Sequence, residues 1–325
     1  MKNYAFIIII TLLICACNKP DTTPTSTPTA ADVLTGDCKI HMFGVSINTN
    51  SNIPTFTEIN EATGLGIGTS FKPDSLYFDA FEHPAIIVDS LYYIVAPYGY
   101  IGINPEPAIQ YININTGART IIPISFYIRS LCYNYSTKTF YAIQNDSFLI
   151  SFKISGNVLT GISNLGTINT FRQFTSSLTI NPSTGYIYAI TLAGVLYTYN
   201  GATVTSITLN RSHLSGVKYN QNDGYLYGIY NYYTGTGQNS VDSIIKINPA
   251  NGVITTLVKF PYAFNVDYYS TVIDQCNNVF VISTMSDFNY IHLYPSNFTL
   301  FNCATNKSVS ILNTYPVYEG LAIKY

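Results

Sequence analysis

With 17 acids, 15 lysines and arginines and four histidines among 325 residues, this chain has few side chains able to move a proton, attack a bond or hold a metal. None of them falls in a catalytic pattern: there is no Gly-x-Ser-x-Gly elbow, no His-Glu-x-x-His, no Cys-x-x-Cys and no phosphate-cradling glycine loop. Thr234-Gly-Thr-Gly lies in a polar stretch between strand-like segments and opens no helix, so it reads as a flexible loop. No catalytic residue, metal or cofactor is therefore expected. The ionisable residues gather instead just ahead of the first strand of a repeat: Glu82, His83, Arg129, Arg172, His213, Asp267 and Glu319. If that repeat closes into a ring, these seven surround one axial opening. Their mixed charge suits a polar or zwitterionic ligand better than a bare cation, because Arg129 and Arg172 would repel a metal that the carboxylates attract. Loop ends are also where polar residues ordinarily live, and that plainer reading stands beside the first.

The cysteines and the Asp-Ser/Thr pairs offer two further chemistries. Cys276 and Cys303 fall in two turns of one repeat unit, where antiparallel pairing puts the start of a second strand opposite the end of a third, so a disulfide between them is expected. Cys38 and Cys132 lie in different units and are expected to be buried free thiols. Asp21-Thr22, Asp74-Ser75, Asp89-Ser90 and Asp242-Ser243, each followed by an aliphatic residue or Thr, make Thr22, Ser75, Ser90 and Ser243 candidate O-glycosylation acceptors. Asp-Ser is equally ordinary turn chemistry.

The elements that must position these residues announce themselves by repetition. One pattern is a turn after an aromatic or apolar strand: Asn60-Glu-Ala-Thr-Gly64, Asn113-Ile-Asn-Thr-Gly117, Asn200-Gly-Ala-Thr203, Asn248-Pro-Ala-Asn-Gly252 and Asn302-Cys-Ala-Thr-Asn306, with a degenerate copy at Ser155-Gly-Asn157. Alternating stretches follow, which makes each a hairpin between a third and a fourth strand. The other pattern is strand, short polar turn, aromatic strand, as in Leu131 to Ile143, Leu178 to Ile190 and Val217 to Ile229. Its last copy, Leu321 to Tyr325, stops after one strand, while Lys39 to Ile47, Thr55 to Ile59 and Leu65 to Phe71 read as second, third and fourth strands lacking a first. The two ends thus complete one blade and close the ring, which protects the sheet edges. Residues 37–325 divide into six units of about 48 residues, the size of a four-stranded blade. The fold expected is all-β: a six-bladed β-propeller of four-stranded antiparallel blades.

The Asn-Pro-x-Thr-Gly turns and aromatic strands resemble the bacterial propellers of the TolB-like or YncE-like kind. Gly-His and Trp-Asp pairs, the double glycine of kelch blades and the aspartate box of sialidases are all missing. Fold resemblance of this sort fixes architecture and leaves chemistry open. It does supply an alternative, a metal-dependent hydrolase like the lactonase propellers, which hold a divalent ion at the axis.

The first 36 residues read as export and attachment. Lys2, the apolar run Tyr4 to Ile14 and the sequence Ile14-Cys15-Ala16-Cys17 resemble a signal peptide ending in a lipobox, with small Ala16 just before the acylated Cys17. The resemblance implies removal of residues 1–16 and a lipid bilayer as partner; an uncleaved membrane anchor is the alternative. Residues 17–36, rich in Thr, Pro and Ser, read as an extended tether, and 37–325 as the propeller domain. The Cys-Asn-Lys start resembles Bacteroidota lipoproteins and favours the outer membrane. Net charge is −2, only 10% of residues are charged, and Tyr numbers 29, which argues against a nucleic-acid partner. The function expected is a monomeric, membrane-anchored envelope lipoprotein whose propeller binds a protein, glycan or small polar ligand without catalysis.

Overall fold

The computed structural model describes residues 27–47, 54–71, 84–95, 106–168, 176–233, 239–285, 296–313 and 317–324. Cys17, Thr22, Ser75, Glu82, His83 and Arg172 lie outside them. One helical turn, α1 (Ala30–Val33), precedes β1 (His41–Ile47), β2 (Thr55–Asn60) and β3 (Leu65–Phe71). The second blade is β4 (Ala85–Val88), β5 (Leu91–Val95), β6 (Ala108–Asn113) and β7 (Arg119–Pro123). The third is β8 (Ile128–Asn134), β9 (Thr139–Gln144), β10 (Phe148–Ser155) and β11 (Val158–Thr167). The fourth is β12 (Ser176–Ile180), β13 (Ile187–Thr191), β14 (Val195–Tyr199) and β15 (Val204–Thr208). Then come β16 (Leu214–Tyr219), β17 (Leu226–Tyr233), β18 (Asn239–Ile247), β19 (Ile254–Asp274), β20 (Val279–Met285), β21 (Ser296–Asn302), β22 (Ser308–Asn313) and β23 (Val317–Lys324).

These strands form six four-stranded antiparallel blades. The ring closes as the truncated last repeat requires: β23 is the inner strand of blade 1, with Met42 opposite Ile323 and Phe43 opposite Ala322. Blades 5 and 6 share one 21-residue strand, β19, whose first part is the outer strand of blade 5 and whose last part is the inner strand of blade 6. The repeat pattern does not foresee that fusion, because strand continuity across the bend is a matter of backbone geometry between two regular segments.

Each blade is covered on both sides by its neighbours, so its middle strands bury both faces and carry near-continuous apolar runs, as in the wholly buried Ile187–Thr191. Among the described residues the core divides into six apolar clusters, one per junction between adjacent blades. Tyrosines fill much of it: Tyr92, Tyr227 and Tyr318 are fully buried.

Polar belts bind the inner strands laterally. The Ser130 hydroxyl accepts from Leu178 N (2.9 Å), Thr179 Oγ1 from Tyr219 N (2.9 Å) and Ser270 Oγ from Leu321 N (2.8 Å), while Thr271 Oγ1 donates to Gly216 O (2.9 Å). Tyr135 donates to Ile87 O and Tyr92 to Gly320 O, so every junction of the ring carries at least one such bond. Each satisfies a backbone group that the inner strand, having no partner on its axial side, would otherwise leave open.

The Asn-rich turns have one mechanism. In nine of them an Asn or Asp side-chain oxygen accepts a backbone N–H two or three residues on: Asn60, Asn113, Asn134, Asn181, Asn200, Asn220, Asn248, Asp274 and Asn302. Asn200 aside, eight of these share one further feature. The residue four positions after the acceptor then takes positive φ, from Gly64 at 63° to Lys138 at 52°. All eight lie on the face where the inner strands end, the turn face. The opposite face, where the inner strands begin, is the loop face.

Candidate functional site

Inner strands of all six blades wall an axial cavity of about 490 Å³. Its sides are mainly apolar, with Leu321, Ile86, Leu131, Leu178 and Val272 from blades 1, 2, 3, 4 and 6, and Lys218 from blade 5. Asn134, Tyr135, Pro182, Gln221 and Gln275 belong to turns at the ends of inner strands, which places the mouth on the turn face. Hydrogen bonds fix this rim: Gln275 Nε2 donates to Tyr219 O (2.7 Å), Gln275 Oε1 accepts from Gln221 N (2.9 Å), and Asn222 Nδ2 donates to Gln275 O (2.6 Å). Tyr133 and Tyr135 meet edge to face at 5.0 Å on the other side of the mouth. Cys132, also in the wall, is a buried free thiol as expected; burial pushes its ionisation far up against the opposing influence of the Lys218 charge. A neutral thiol of this kind is a wall and not a nucleophile.

Of the seven-residue constellation, Arg129 and His213 are not among the described residues that line this cavity, and Glu82, His83 and Arg172 lie outside the described residues. Arg129 Nε is 3.2 Å from Asp146 Oδ1 in the hairpin of its own blade, with its guanidinium 6.0 Å from the Tyr127 ring. His213 is exposed, its Nδ1 2.9 Å from Ser212 Oγ and its backbone N–H donating to Leu192 O (2.6 Å). Asp267 falls in the irregular stretch of β19 between residues 265 and 269, and Glu319 pairs with Val45. The backbones of these four lie at or near the beginnings of inner strands, whereas the cavity opens where the inner strands end. In the sequence the cavity is marked only by residues of repeated turns, Asn134, Gln221 and Gln275, and by the strand residue Lys218, none of which stands out by type or spacing. Among the described residues no three His, Cys, Asp or Glu are placed to hold a metal ion.

The expected Cys276–Cys303 bridge is corrected: Cys276 bonds Cys38, with Cα atoms 6.0 Å apart and 238 residues between them in sequence. The turns do touch, since Cys303 N donates to Asn278 O (2.9 Å), but the Cys303 side chain points into the apolar junction with blade 5, beside Tyr227. Adjacent backbones with side chains on opposite sides cannot be bridged. What reaches Cys276 is the segment ahead of β1. There α1 buries Val33 against blades 6 and 1, Asn302 Nδ2 donates to Val33 O (2.8 Å), and Asn277 Nδ2 donates to Cys38 O (3.3 Å). Full burial of one valine contributes roughly 1.5–3 kcal/mol, so the stretch assigned to the extended tether is already seated on the propeller by residue 30. Among the candidate acceptors, Ser243 is fully buried within β18 and is no acceptor in the folded protein, whereas Ser90 stays partly accessible in the turn after β4.

Two buried carboxyls lie beside this segment. Burial, with repulsion from Asp274, pushes Glu61 up to about 8, and Glu61 Oε1 has no hydrogen-bond partner. Burial also raises Asp274, opposed by hydrogen bonds from Asn277 and the Cys276 backbone. A second cavity of about 400 Å³, between blades 1 and 2, has the His41–Glu58 pair (2.6 Å) at its edge. It is smaller than the axial cavity and, among the described residues, is walled by two blades where the axial cavity is walled by six.

No family model matches the chain, and no curated protein matches its sequence. Solved structures do. TolB from Acinetobacter baumannii superposes with a TM-score of 0.59 at 10% identity, covering 92% of this chain and 68% of TolB. A protein of unknown function from Bacteroides thetaiotaomicron gives a TM-score of 0.48 at 12% identity, covering 77% of this chain and 70% of that one. With 886 solved chains matching, the architecture alone selects no chemistry. The protein is a six-bladed β-propeller with TolB among its structural neighbours.

Proposed function

We propose that this protein is an envelope lipoprotein, attached to a membrane through acylated Cys17, whose propeller binds a ligand or partner at the axial cavity without catalysing a reaction. The observation that carries the binding reading is the cavity itself: mainly apolar walls drawn from the inner strands of six blades, a hydrogen-bonded rim and an open mouth, the form of a preorganised binding site. The lipobox Ile14-Cys15-Ala16-Cys17 supports the anchor, and the TolB likeness in fold is compatible with an envelope address. The segment leading back toward Cys17 is stapled at Cys276, next to rim residue Gln275, so the mouth lies on the side from which the tether departs.

Two measurements test the two halves. In membrane fractionation the wild type should pellet with membranes, whereas Cys17→Ser should be released or retain its leader; unchanged processing and location would overturn the anchor. For the cavity, Ile180→Trp fills the mouth from the end of β12. Ligands found by thermal-shift screening of the wild type should lose their stabilising effect on this variant, and retention of those shifts would place binding elsewhere.

A further inference from the structure

We propose that the cavity between blades 1 and 2 is a second binding site, one that takes a neutral sugar ring. The inference is independent of the axial cavity and of the membrane anchor. It begins with the register of three adjacent strands. Lys324 of β23 lies opposite His41 of β1, and Glu58 of β2 lies opposite Phe43, two residues on from His41. The three polar side chains therefore form a row on one face of blade 1, about one strand spacing (~5 Å) apart, and all three line the cavity. Phe43 and Phe56 share that face and pack with Tyr92, so it is the face turned toward blade 2.

The chemistry of the row is mixed. His41 Nδ1 is 2.6 Å from Glu58 Oε1, and because a carboxylate only accepts, Nδ1 donates there and Nε2 is left for a ligand, as is the second Glu58 oxygen. The pair is not sealed off, since the His41 side chain is 58% exposed and that of Glu58 29%. Asn115, in the exposed turn after β6, adds an amide from blade 2. Beyond the row, Phe43, Phe56 and Phe71 stack nearly parallel, with centroids 5.6 and 6.4 Å apart and interplanar angles of 7° and 21°. A cavity of about 400 Å³ with an apolar wall and a polar edge suits a small ligand.

Charge decides the class. An anion gains at Lys324 and loses at Glu58, and a cation does the reverse. An amino acid carries its two charges on adjoining groups, whereas Lys324 and Glu58 stand two strand spacings apart, roughly 10 Å at the backbone. A sugar needs no net charge in its site. Its hydroxyls both donate and accept, so successive ones can meet an ammonium, an imidazole nitrogen and a carboxylate, and ionised partners make such bonds stronger than neutral ones. Its C–H face is apolar and suits the phenylalanine wall.

The test is titration of the full chain, followed by NMR, with the methyl glycosides of glucose, mannose and galactose and with two charged probes that also carry a ring, benzoate and phenylalanine. At least one glycoside should bind, one per chain, more tightly than either charged probe. Glu58→Gln keeps the shape but removes the ionised acceptor, and Asn115→Trp fills the mouth from an exposed turn. Each should weaken glycoside binding at least about ten-fold, a difference of about 1.4 kcal/mol. Ile180→Trp should leave it unchanged, because that residue belongs to the axial cavity. Thermal unfolding of the variants confirms that the propeller is intact. Tighter binding of benzoate or phenylalanine, weakened by the same two variants, would overturn the sugar assignment. Glycoside binding lost in Ile180→Trp but kept in Glu58→Gln and Asn115→Trp would overturn this site in favour of the axial cavity. No binding of any glycoside would overturn the proposal and leave the axial reading untouched.

Discussion

The two faces of the ring are built on different principles. On the turn face a single device recurs: an Asx acceptor, a tight backbone turn and a left-handed residue four positions on, from Asn60 and Gly64 to Asn302 and Asn306. On the loop face the connections have no common length, running from the short hairpin Asn145–Ser147 to the span between Phe71 and Ala85. Variable, charged loops suggest function by habit, yet the described cavity opens among the repeated turns. Four of the six inner strands end in such a turn, at Asn134, Asn181, Asn220 and Asp274, and residues of these turns line the mouth of the cavity. On the loop face, Arg129 is paired with Asp146 in the hairpin of its own blade.

That contrast can be broken most severely at the ring closure. Ending the chain at Gly320 would remove the second half of the inner strand of blade 1 and expose the edge of β1 from His41 to Phe43, along with the apolar junctions on both sides. The expected result is loss of cooperative folding, on the order of the whole 5–15 kcal/mol of a typical domain. Circular dichroism melting of the truncated chain checks it; an unchanged transition would mean the ring does not depend on its last strand.

Next in size is the clasp on the turn face. Removing Cys38–Cys276 by Cys276→Ala releases a loop of 238 residues. The chain-entropy model gives an upper figure of about 5 kcal/mol, and because β1 and β23 already hold the chain ends together, roughly 2–4 kcal/mol is expected. Cys303→Ala deletes a sulfur from the junction with blade 5 and should cost only about 1–2 kcal/mol. Urea unfolding under oxidising and reducing conditions separates them: reductant should weaken the wild type and Cys303→Ala but not Cys276→Ala.

Acidity sharpens the comparison further, since the turn face carries the buried pair Glu61 and Asp274. The folded state holds Glu61 at about 8, above its ordinary 4.5, so folding favours the protonated carboxyl. No cost arises below about pH 4.5, where the group is protonated whether folded or not. The cost grows as pH rises through that window and is complete above about pH 8. Glu61→Gln should therefore leave stability at pH 4.5 unchanged and raise it at pH 8.5 by roughly 2–3 kcal/mol, the full shift being discounted for residual solvent. Equal effects at both pH values would contradict this account.

How far the sequence carries the reader follows from what each feature depends on. The blades, the fused blade 1 and the Asn turns were legible because each depends on a local pattern: alternation, a missing first strand, an acceptor four residues before a glycine. The Cys38–Cys276 pairing was not legible, because it depends on where a segment with no strand pattern, Thr35 to Cys38, crosses a blade five repeats later in the chain. The cavity was hidden for a similar reason. Its walls are ordinary inner-strand residues such as Leu131, Leu178 and Leu321, indistinguishable by type from core, and Lys218 sits in a strand where alternation predicts a surface lysine. The seven-residue cluster was read from real positions, but sequence could not show that Arg129 turns back onto Asp146.

The smallest expected effect tests the turn device itself. Of the eight turns, seven place Gly or Asn at the left-handed position, and one places Lys138, at φ 52°. A side chain with a Cβ costs about 1–2 kcal/mol there, and Asn recovers part of that by local hydrogen bonding. Lys138 is exposed, so removing its side chain loses little packing. Lys138→Gly relieves the strain but loosens the unfolded chain, which leaves a net gain of about 0.5–1 kcal/mol. Lys138→Asn should gain slightly less. His213, at φ 59° on the loop face, bears the same strain outside any Asx turn, and its backbone N–H already holds Leu192 O. If backbone strain alone matters, His213→Gly gains as much as Lys138→Gly. If the turn device matters, Asn134→Ala, which removes the acceptor, should cost about 1 kcal/mol and erase the benefit of Lys138→Gly in the double variant, while leaving that of His213→Gly intact. Denaturant midpoints for the single and double variants decide between the two, and additivity of Asn134→Ala with Lys138→Gly would show that acceptor and left-handed residue do not act as one unit.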